Sequence, residues 1–214
     1  NINQDVTGAR LTVSYGRVGG LARDLPPDFA DRMGAALTKI RETLSDTEKL
    51  LERNRIFIDR MVGVGLMTPE DAVSYGLTGP LLRATGVKRD LRKDDPYMVY
   101  DRFDFDVPVG TKGDNFDRFS VRFEEIRQSM RIVEQALRTL PAGPVSIDDH
   151  TIVLPEKRDV YENIEGLMAQ FKLVIEGIRV PAGEIYFAGE AANGELGFFI
   201  VSDGSGRPYR VRVR

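Results

Sequence analysis

The aspartates between residues 101 and 117 are the side chains whose type and spacing come closest to a cation site. They are Asp101, Asp104, Asp106, Asp114 and Asp117. In an extended segment Asp104 and Asp106 point to the same side of the chain, as two metal ligands would. Their spacing does not match an EF-hand loop, and no bidentate Glu follows at the required distance. We therefore expect solvated or arginine-paired carboxylates, and we predict no metal site and no catalytic residue.

Other candidate sites give weaker signals. Residues 88–93 (KRDLRK) could bind phosphate, but Asp90, Asp94 and Asp95 reduce the local charge to +1, which favours a salt-bridge surface between proteins. The glycine groups form neither a dinucleotide fingerprint nor a phosphate loop. The single histidine, His150, has no nearby nucleophile, so we interpret it as a surface-loop residue.

Composition excludes several functional classes. The 214 residues include 30 basic and 33 acidic side chains, a balance that argues against nucleic-acid binding. Cysteine is absent, which rules out thiolate catalysis, disulfides and iron–sulfur clusters ligated by this sequence. No apolar run reaches the 18 or so residues that span a bilayer. Because the sequence starts at Asn1 without Met and ends in a strand pattern, we expect an internal piece of a longer chain.

Apolar periodicity predicts three long amphipathic helices that form a bundle. The first begins near Pro27, carries a stripe from Phe29 to Leu51 and ends near Met61. The second has apolar residues at alternating spacings of three and four over residues 116–140, and the third has the same pattern over residues 160–178. A short helix is predicted to start at Thr68-Pro69 and to stop at Tyr75-Gly76.

The C-terminal part changes to strand periodicity. Three strands, at 184–190, 197–202 and 209–214, are separated by the turn sequences Asn193-Gly194 and 203–206, which predicts an antiparallel meander. Residues 76–113 lack clean periodicity and are predicted to form a long functional loop. The predicted fold is mainly α (α+β), with a helical part at 1–180 and a β meander at 181–214.

Several strings of this sequence resemble the D subunit of the respiratory NADH:quinone oxidoreductase, complex I. They occur in the same order as in the family and cover nearly all of the sequence, but only about the second half of the family's chain. They are TGPLLRATGV at 78–87, DLRKDDPY at 90–97, YD at 100–101, FDVPVG at 105–110, GD at 113–114, EEIRQSMRI at 124–132, FKL at 171–173, VPAGE at 180–184 and VSDGSGRPYR at 201–210.

The resemblance implies a fold related to the large subunit of nickel–iron hydrogenases. In the family this subunit packs against a small subunit that holds the terminal iron–sulfur cluster, and the two form the cavity where quinone is reduced. It implies Arg10, Thr12 and Arg17 near the partner's cluster, and Arg83, Asp90, Arg92 and Lys93 as candidates for a subunit interface. Quinone, NADH, FMN and the clusters belong to the complex, and no cofactor is expected to bind this segment directly.

The sequence also departs from the family pattern. The quinone-headgroup His and its paired Tyr belong to an N-terminal loop that lies outside these residues, and so does the family's C-terminal helix. Many members carry a His where this sequence has Thr12, and Ala169-Gln170 stands where relatives often have His. Without cysteine, a hydrogenase is disfavoured, although ligands outside these residues would permit one. The segment on its own is expected to be inactive.

Three functional interpretations remain open at this stage. The favoured one is a subunit of a proton-translocating NADH:quinone oxidoreductase, held peripherally on the cytoplasmic side of the inner or plasma membrane. Its partners would be the small iron–sulfur subunit, other peripheral- and membrane-arm subunits and quinone, with no nucleic acid. The alternatives are a non-catalytic scaffold or assembly protein with the same fold, and a related complex that uses a different electron donor.

Overall fold

A computed structural model describes residues 2–214 of the chain. Its helices are α1 (Ile2–Thr7), α2 (Phe29–Glu52), α3 (Arg55–Met61), α4 (Pro69–Ser74), α5 (Gly79–Arg83), α6 (Leu91–Asp94), the 3-10 helix Tyr100–Arg102, α7 (Asn115–Thr139), α8 (Lys157–Glu162) and α9 (Ile164–Ile175). Its strands are β1 (Gly16–Arg17), β2 (Gly20–Leu21), β3 (Gly183–Ala191), β4 (Gly194–Ser202) and β5 (Arg210–Val213). The α+β fold class is confirmed.

The C-terminal strands form a sheet in the order β3-β4-β5, as the turn sequences predict. Strands β4 and β5 are antiparallel, and Phe199 pairs with Arg212 in their register. A second, two-stranded sheet of β1 and β2 was not predicted. Its strands are two residues long, too short for a period of two to be recognised in the sequence.

The chain divides into two compact units. Among the described residues, the first comprises 2–33, 141–186 and 198–213, and the second comprises 34–140, 187–197 and 214. This grouping by contacts is distinct from the predicted division at residue 180, which separates helices from strands. Most of the buried apolar side chains lie in the second unit: Leu37, Leu44, Ala72, Leu82, Ala84, Phe105, Val121, Met130 and Ile132.

Two of the three predicted long helices are interrupted, each by an asparagine. The first was predicted to continue to Met61, but α2 ends at Glu52 and Asn54 caps α3 by accepting hydrogen bonds from the N–H groups of Ile56 and Phe57. The third is divided by Asn163, whose side chain accepts from Gly166 N at 2.7 Å. The asparagine side chain competes for backbone N–H groups, and this starts a new helix where the apolar spacing alone predicts continuation.

The other predicted helices are confirmed. Helix α4 begins after Thr68, whose hydroxyl accepts from Asp71 N at 3.1 Å, and Tyr75 is its C-cap. Helix α7 follows the predicted seam of residues 116–140 within one residue at each end. Ion pairs from Arg41 to Glu134 and from Arg127 to Glu48 join α2 and α7, and their order shows that the two helices run antiparallel.

The segment 76–113 is more ordered than predicted. It contains α5, α6 and the 3-10 helix, and its last residues are held against the end of α5. Gly110 N donates to Arg83 O at 2.8 Å, and Gly113 N donates to Ala84 O at 3.1 Å. In residues 2–214 no helix is both long and apolar enough to cross a membrane.

Candidate functional site

The guanidinium of Arg83 is the centre of a buried ionic cluster in the second unit. Arg83 is the last residue of α5, and its side chain is 1% exposed. Its Nε donates to Glu125 Oε1 at 2.8 Å, while Nη1 donates to Glu190 Oε1 at 2.8 Å and to the carbonyl of Arg89 at 2.8 Å. One side chain thereby links α5 to α7, to β3 and to the loop before α6.

A second ion pair lies beside the first. Asp90 is the N-cap of α6, and its side chain has no exposure. Its Oδ1 accepts from Arg92 N and from Arg92 Nε, both at 2.9 Å, and its Oδ2 accepts from Arg92 Nη2 at 2.6 Å. Burial by itself would raise the pKa of Asp90, but the contacts with Arg92 and the charge of Arg83 outweigh it and lower the pKa below 3.8.

The aromatic rings of Tyr100 and Phe105 lie beside Arg92, the cation of the second ion pair. The guanidinium of Arg92 lies 5.0 Å from the ring centre of Phe105 and 6.0 Å from that of Tyr100, and Lys93 Nζ lies 4.1 Å from the Phe105 ring. These distances allow cation–π attraction. Burial disfavours the charged guanidinium, but Asp90 outweighs it and the pKa of Arg92 is raised.

Tyr97 connects the cluster to the sheet. Its hydroxyl accepts a hydrogen bond from Glu190 N at 2.9 Å, and burial raises the pKa of that hydroxyl. A Cβ on Gly189 would come within 3.3 Å of the tyrosine oxygen, so the absence of a side chain there allows the close approach. We use the name ionic cluster for Arg83, Asp90, Arg92, Glu125 and Glu190 together.

Asp114 fixes the other end of the segment 76–113. It is buried and caps α7: Oδ1 accepts from Asp117 N at 2.8 Å and Oδ2 accepts from Gly63 N at 2.8 Å. Burial alone would raise its pKa, but these N–H groups and the charge of Lys112 lower the pKa below 3.8. The ionised carboxylate therefore stabilises the folded chain above pH 3.8, and this contribution is lost as the pH falls through the folded-state pKa.

Replacing Asp114 with asparagine is expected to lower the free energy of unfolding by about 1–3 kcal/mol at neutral pH, because one of two buried N–H donors would face an NH2 group. The pH dependence of stability below pH 3.8 should become shallower in the variant. Urea unfolding of the full-length protein at neutral and acid pH measures both effects. The control is Asp46→Asn on α2, whose side chain is 81% exposed and which should change little. Equal stability of Asp114→Asn and wild type would contradict the prediction.

Two of the five aspartates considered as cation ligands are paired with arginine. Both Asp104 and Asp106 contact Arg131 on α7, the second at 3.3 Å, and the amide oxygens of Gln135 and Gln128 accept from their backbone N–H groups. Within residues 2–214 no group of three or more potential metal ligands is found. The paired carboxylates agree with the arginine-paired interpretation.

The structure brings together three of the four interface candidates. Arg83, Asp90 and Arg92 belong to the ionic cluster, and the side chains of Arg83 and Asp90 are enclosed by this chain. Lys93 is exposed, and its Nζ lies 3.3 Å from the carbonyl of Phe103. A partner chain could reach Arg92 and Lys93, while Arg83 and Asp90 support them from beneath. Contact with another subunit stays a prediction for all four.

The three residues expected near a partner's cluster lie in the first unit. Arg10, Thr12 and Arg17 are exposed, the first two in the segment after α1 and the third in β1. Two apolar neighbours, Leu11 and Val18, are exposed by 88% and 66%. The segment is a charged and apolar surface, and proximity to a cluster stays a prediction.

His150 is an exposed turn residue, as expected for a surface loop. It lies at the edge of an open cleft of about 610 Å³ in the first unit, formed largely by α9 and the residues that follow it. The charged side chains around the cleft are Glu165, Lys172, Glu176 and Arg179. Arg179 pairs with Glu176. This mixture of charges is typical of a solvated surface groove and gives no arrangement for catalysis.

Glu125 and Glu190 were not predicted as site residues. The available signal was Arg83 itself, which lies in the apolar run Leu81-Leu82-Arg83-Ala84. A charged residue in a buried run requires ionised partners, because an unpaired buried charge is too costly. Their positions could not be inferred, since they lie 42 and 107 residues from Arg83 along the chain.

Comparison with known proteins shows one family over the whole chain. The family model described as "Respiratory-chain NADH dehydrogenase, 49 Kd subunit" matches residues 1–214. The NADH-quinone oxidoreductase D subunit of Myxococcus xanthus is 59% identical over 98% of this chain and 51% of the relative. The D subunit numbered 1 of Sorangium cellulosum is 58% identical over 100% of this chain and 53% of the relative. The C/D subunit of Bdellovibrio bacteriovorus is 54% identical over 99% of this chain and 38% of the relative. The chain thus spans about half the length of the two D subunits.

Proposed function

Since the chain belongs to the family of the 49 kDa subunit of the respiratory-chain NADH dehydrogenase, we propose that it helps to form the cavity in which a proton-translocating NADH:quinone oxidoreductase reduces quinone. The terminal iron–sulfur cluster beside that cavity would be held by a partner subunit. The observation that carries the proposal is the match of nearly the entire sequence, at 59% identity, to the D subunit of a NADH-quinone oxidoreductase.

The chemistry of the residues supports this division of labour. None of the 214 residues is a cysteine, so the cluster ligands would lie outside these residues, which is consistent with a cluster held by a partner subunit. Quinone, NADH, FMN and the clusters would supply the redox chemistry, and this chain would supply walls and charges at fixed positions. Its place would be peripheral, on the cytoplasmic side of the membrane, in contact with peripheral- and membrane-arm subunits.

The ionic cluster supports a wall-forming role for the segment 76–113. Arg83 and Asp114 tie the two ends of this segment to α7. Arg92 is held by its pair with Asp90, and the next residue, Lys93, is exposed. A segment held in this way presents its exposed residues in one arrangement, which is what a subunit interface or a cavity wall requires. Arg10, Thr12 and Arg17 would form the surface that faces the partner's cluster.

The proposal is tested in the assembled complex, purified through a tag on the full-length protein. We expect a cysteine-bearing small subunit to co-purify and NADH to be oxidised with quinone as acceptor. An Arg10→Gln/Arg17→Gln double variant should reduce quinone roughly tenfold more slowly, which corresponds to about 1.4 kcal/mol. Its rate with an artificial acceptor that takes electrons before quinone should be unchanged.

The control is Arg158→Gln, which removes an exposed arginine from α8 in the same unit. A complex that assembles but oxidises no donor with quinone would support the scaffold interpretation and contradict the proposal. Quinone reduction with a donor other than NADH would confirm the cavity and correct the donor. If the double variant and the control behave alike, Arg10 and Arg17 do not lie near the site of electron transfer.

A further inference from the structure

The ionic cluster contains one more negative group than positive groups. Its carboxylates are Asp90, Glu125 and Glu190, and its guanidinium groups are Arg83 and Arg92. Arginine does not lose its proton in proteins, so three ionised carboxylates would give the cluster a net charge of −1. A buried site that carries an uncompensated charge lowers its free energy by binding a proton.

Hydrogen bonds distinguish the three carboxylates. Both oxygens of Asp90 accept from Arg92, and the two oxygens of Glu190 accept from Arg83 Nη1 at 2.8 Å and from Leu91 N at 3.3 Å. Such donors favour the ionised form. Glu125 differs, because both of its contacts with Arg83, at 2.8 and 2.5 Å, are made by Oε1.

We propose that the ionic cluster is a proton-binding site and that Glu125 carries the proton on Oε2. The protonated acid would keep its contact with Arg83 through Oε1, and the cluster would become neutral. The proton comes from solvent, which reaches this side chain through its 14% exposure. The inference concerns side chains of this chain alone and does not rest on the proposed function.

The groups that face Glu125 are consistent with this assignment. Arg83 on α5 and Arg92 on α6 favour its ionised form, while Glu190 on β3 opposes it. Burial is the largest influence and raises the pKa of Glu125 above 4.5, in spite of both arginines. Asp90 shifts in the opposite direction, so the acids of the cluster are separated in their affinity for protons.

Proton binding has a defined effect on stability. A carboxyl group whose pKa is raised by folding contributes stability that is complete below its unfolded-state pKa and is lost as the pH rises through its folded-state pKa. Glutamine has the shape of protonated glutamic acid and does not ionise. In Glu125→Gln the free energy of unfolding should therefore fall less steeply as the pH rises. The change in slope corresponds to at most one bound proton.

The test is infrared difference spectroscopy of the full-length protein between acid and alkaline pH. Wild type should show the carbonyl stretch of a buried carboxylic acid at pH values above 4.5. The Glu125→Gln variant should lack that band. The matched control is Glu124→Gln on the same helix, which removes an acid that is 40% exposed and pairs with Arg127; its spectrum should keep the band.

Urea unfolding of the same three proteins across this pH range provides the second measurement. Three results would overturn the inference: no protonated carboxyl in wild type above pH 4.5, a band that persists in Glu125→Gln, or failure of Glu125→Gln to fold. The last result counts because glutamine reproduces the protonated acid and does not reproduce the carboxylate. Loss of the band together with a flatter stability profile would establish the site.

Discussion

Replacing Arg83 with methionine is expected to destabilise the full-length protein by about 3–5 kcal/mol, as when one partner of a buried ion pair is removed. The guanidinium contacts Glu125 and Glu190, lies 3.8 Å from Asp90, and is 1% exposed. Without it, carboxylates enclosed by this chain would lose their positive partner, and protonating them would cost further free energy. Since whole domains are stable by only about 5–15 kcal/mol, we expect little folded protein in cells.

Two further variants separate charge from geometry. Arg83→Lys keeps the charge but places it on one atom, which cannot reproduce the three donor directions of the fork, so its loss of stability should be intermediate. Arg83→Met combined with Glu125→Gln and Glu190→Gln removes the stranded charges and should recover part of the stability lost by Arg83→Met alone. Denaturant midpoints of the full-length proteins give the order of stability among wild type and the three variants. A single Arg83→Met variant within about 1 kcal/mol of wild type, or a triple variant less stable than the single one, would contradict this expectation.

The parts of the fold that depend on local signals could be predicted from the sequence. Helix α7 was predicted within one residue because its apolar seam is unbroken, and the strands because their turns contain Asn-Gly and Asp-Gly. The break at Asn54 was missed because apolar side chains continue on both sides of it. Apolar periodicity reports which face of a helix is buried, and it does not report where a side-chain cap replaces a backbone hydrogen bond.

The ionic cluster could not be predicted by the same reasoning. Its members come from four elements, and sequence patterns do not show which charged residues become buried. The stretch 88–93 illustrates the limit: counted along the chain it is a mixed surface run, but Asp90 is enclosed and Lys93 is exposed. Neighbours in sequence therefore have opposite environments, because α6 is a single turn whose capping residue points inward. Long-range contacts decide which of these residues is buried and which is exposed.

Gly113→Ala should be a strongly damaging small substitution at the end of the segment 76–113, with an expected loss above about 3 kcal/mol. Gly113 has φ +69°, a left-handed conformation that costs a residue with a side chain roughly 1–2 kcal/mol. A Cβ there would also lie 2.2 Å from Met67 O, so the backbone must move. That movement would weaken the bonds from Met67 N to Gly113 O and from Gly113 N to Ala84 O, at about 0.5–1.5 kcal/mol each.

Gly63→Ala is the matched control, since Gly63 has φ +71° but no atom lies within 4 Å of the position that a Cβ would take. It should lose only the roughly 1–2 kcal/mol of the left-handed conformation. Urea unfolding of the two full-length variants isolates the steric contribution as the difference between them. If both variants lose the same amount, contact with Met67 does not restrict Gly113, and the segment is less firmly held than the hydrogen bonds of Arg83 and Ala84 indicate. A larger loss for Gly113→Ala shows that residue 113 is fixed against the chain before α4, and with it the neighbouring Asp114, which caps α7.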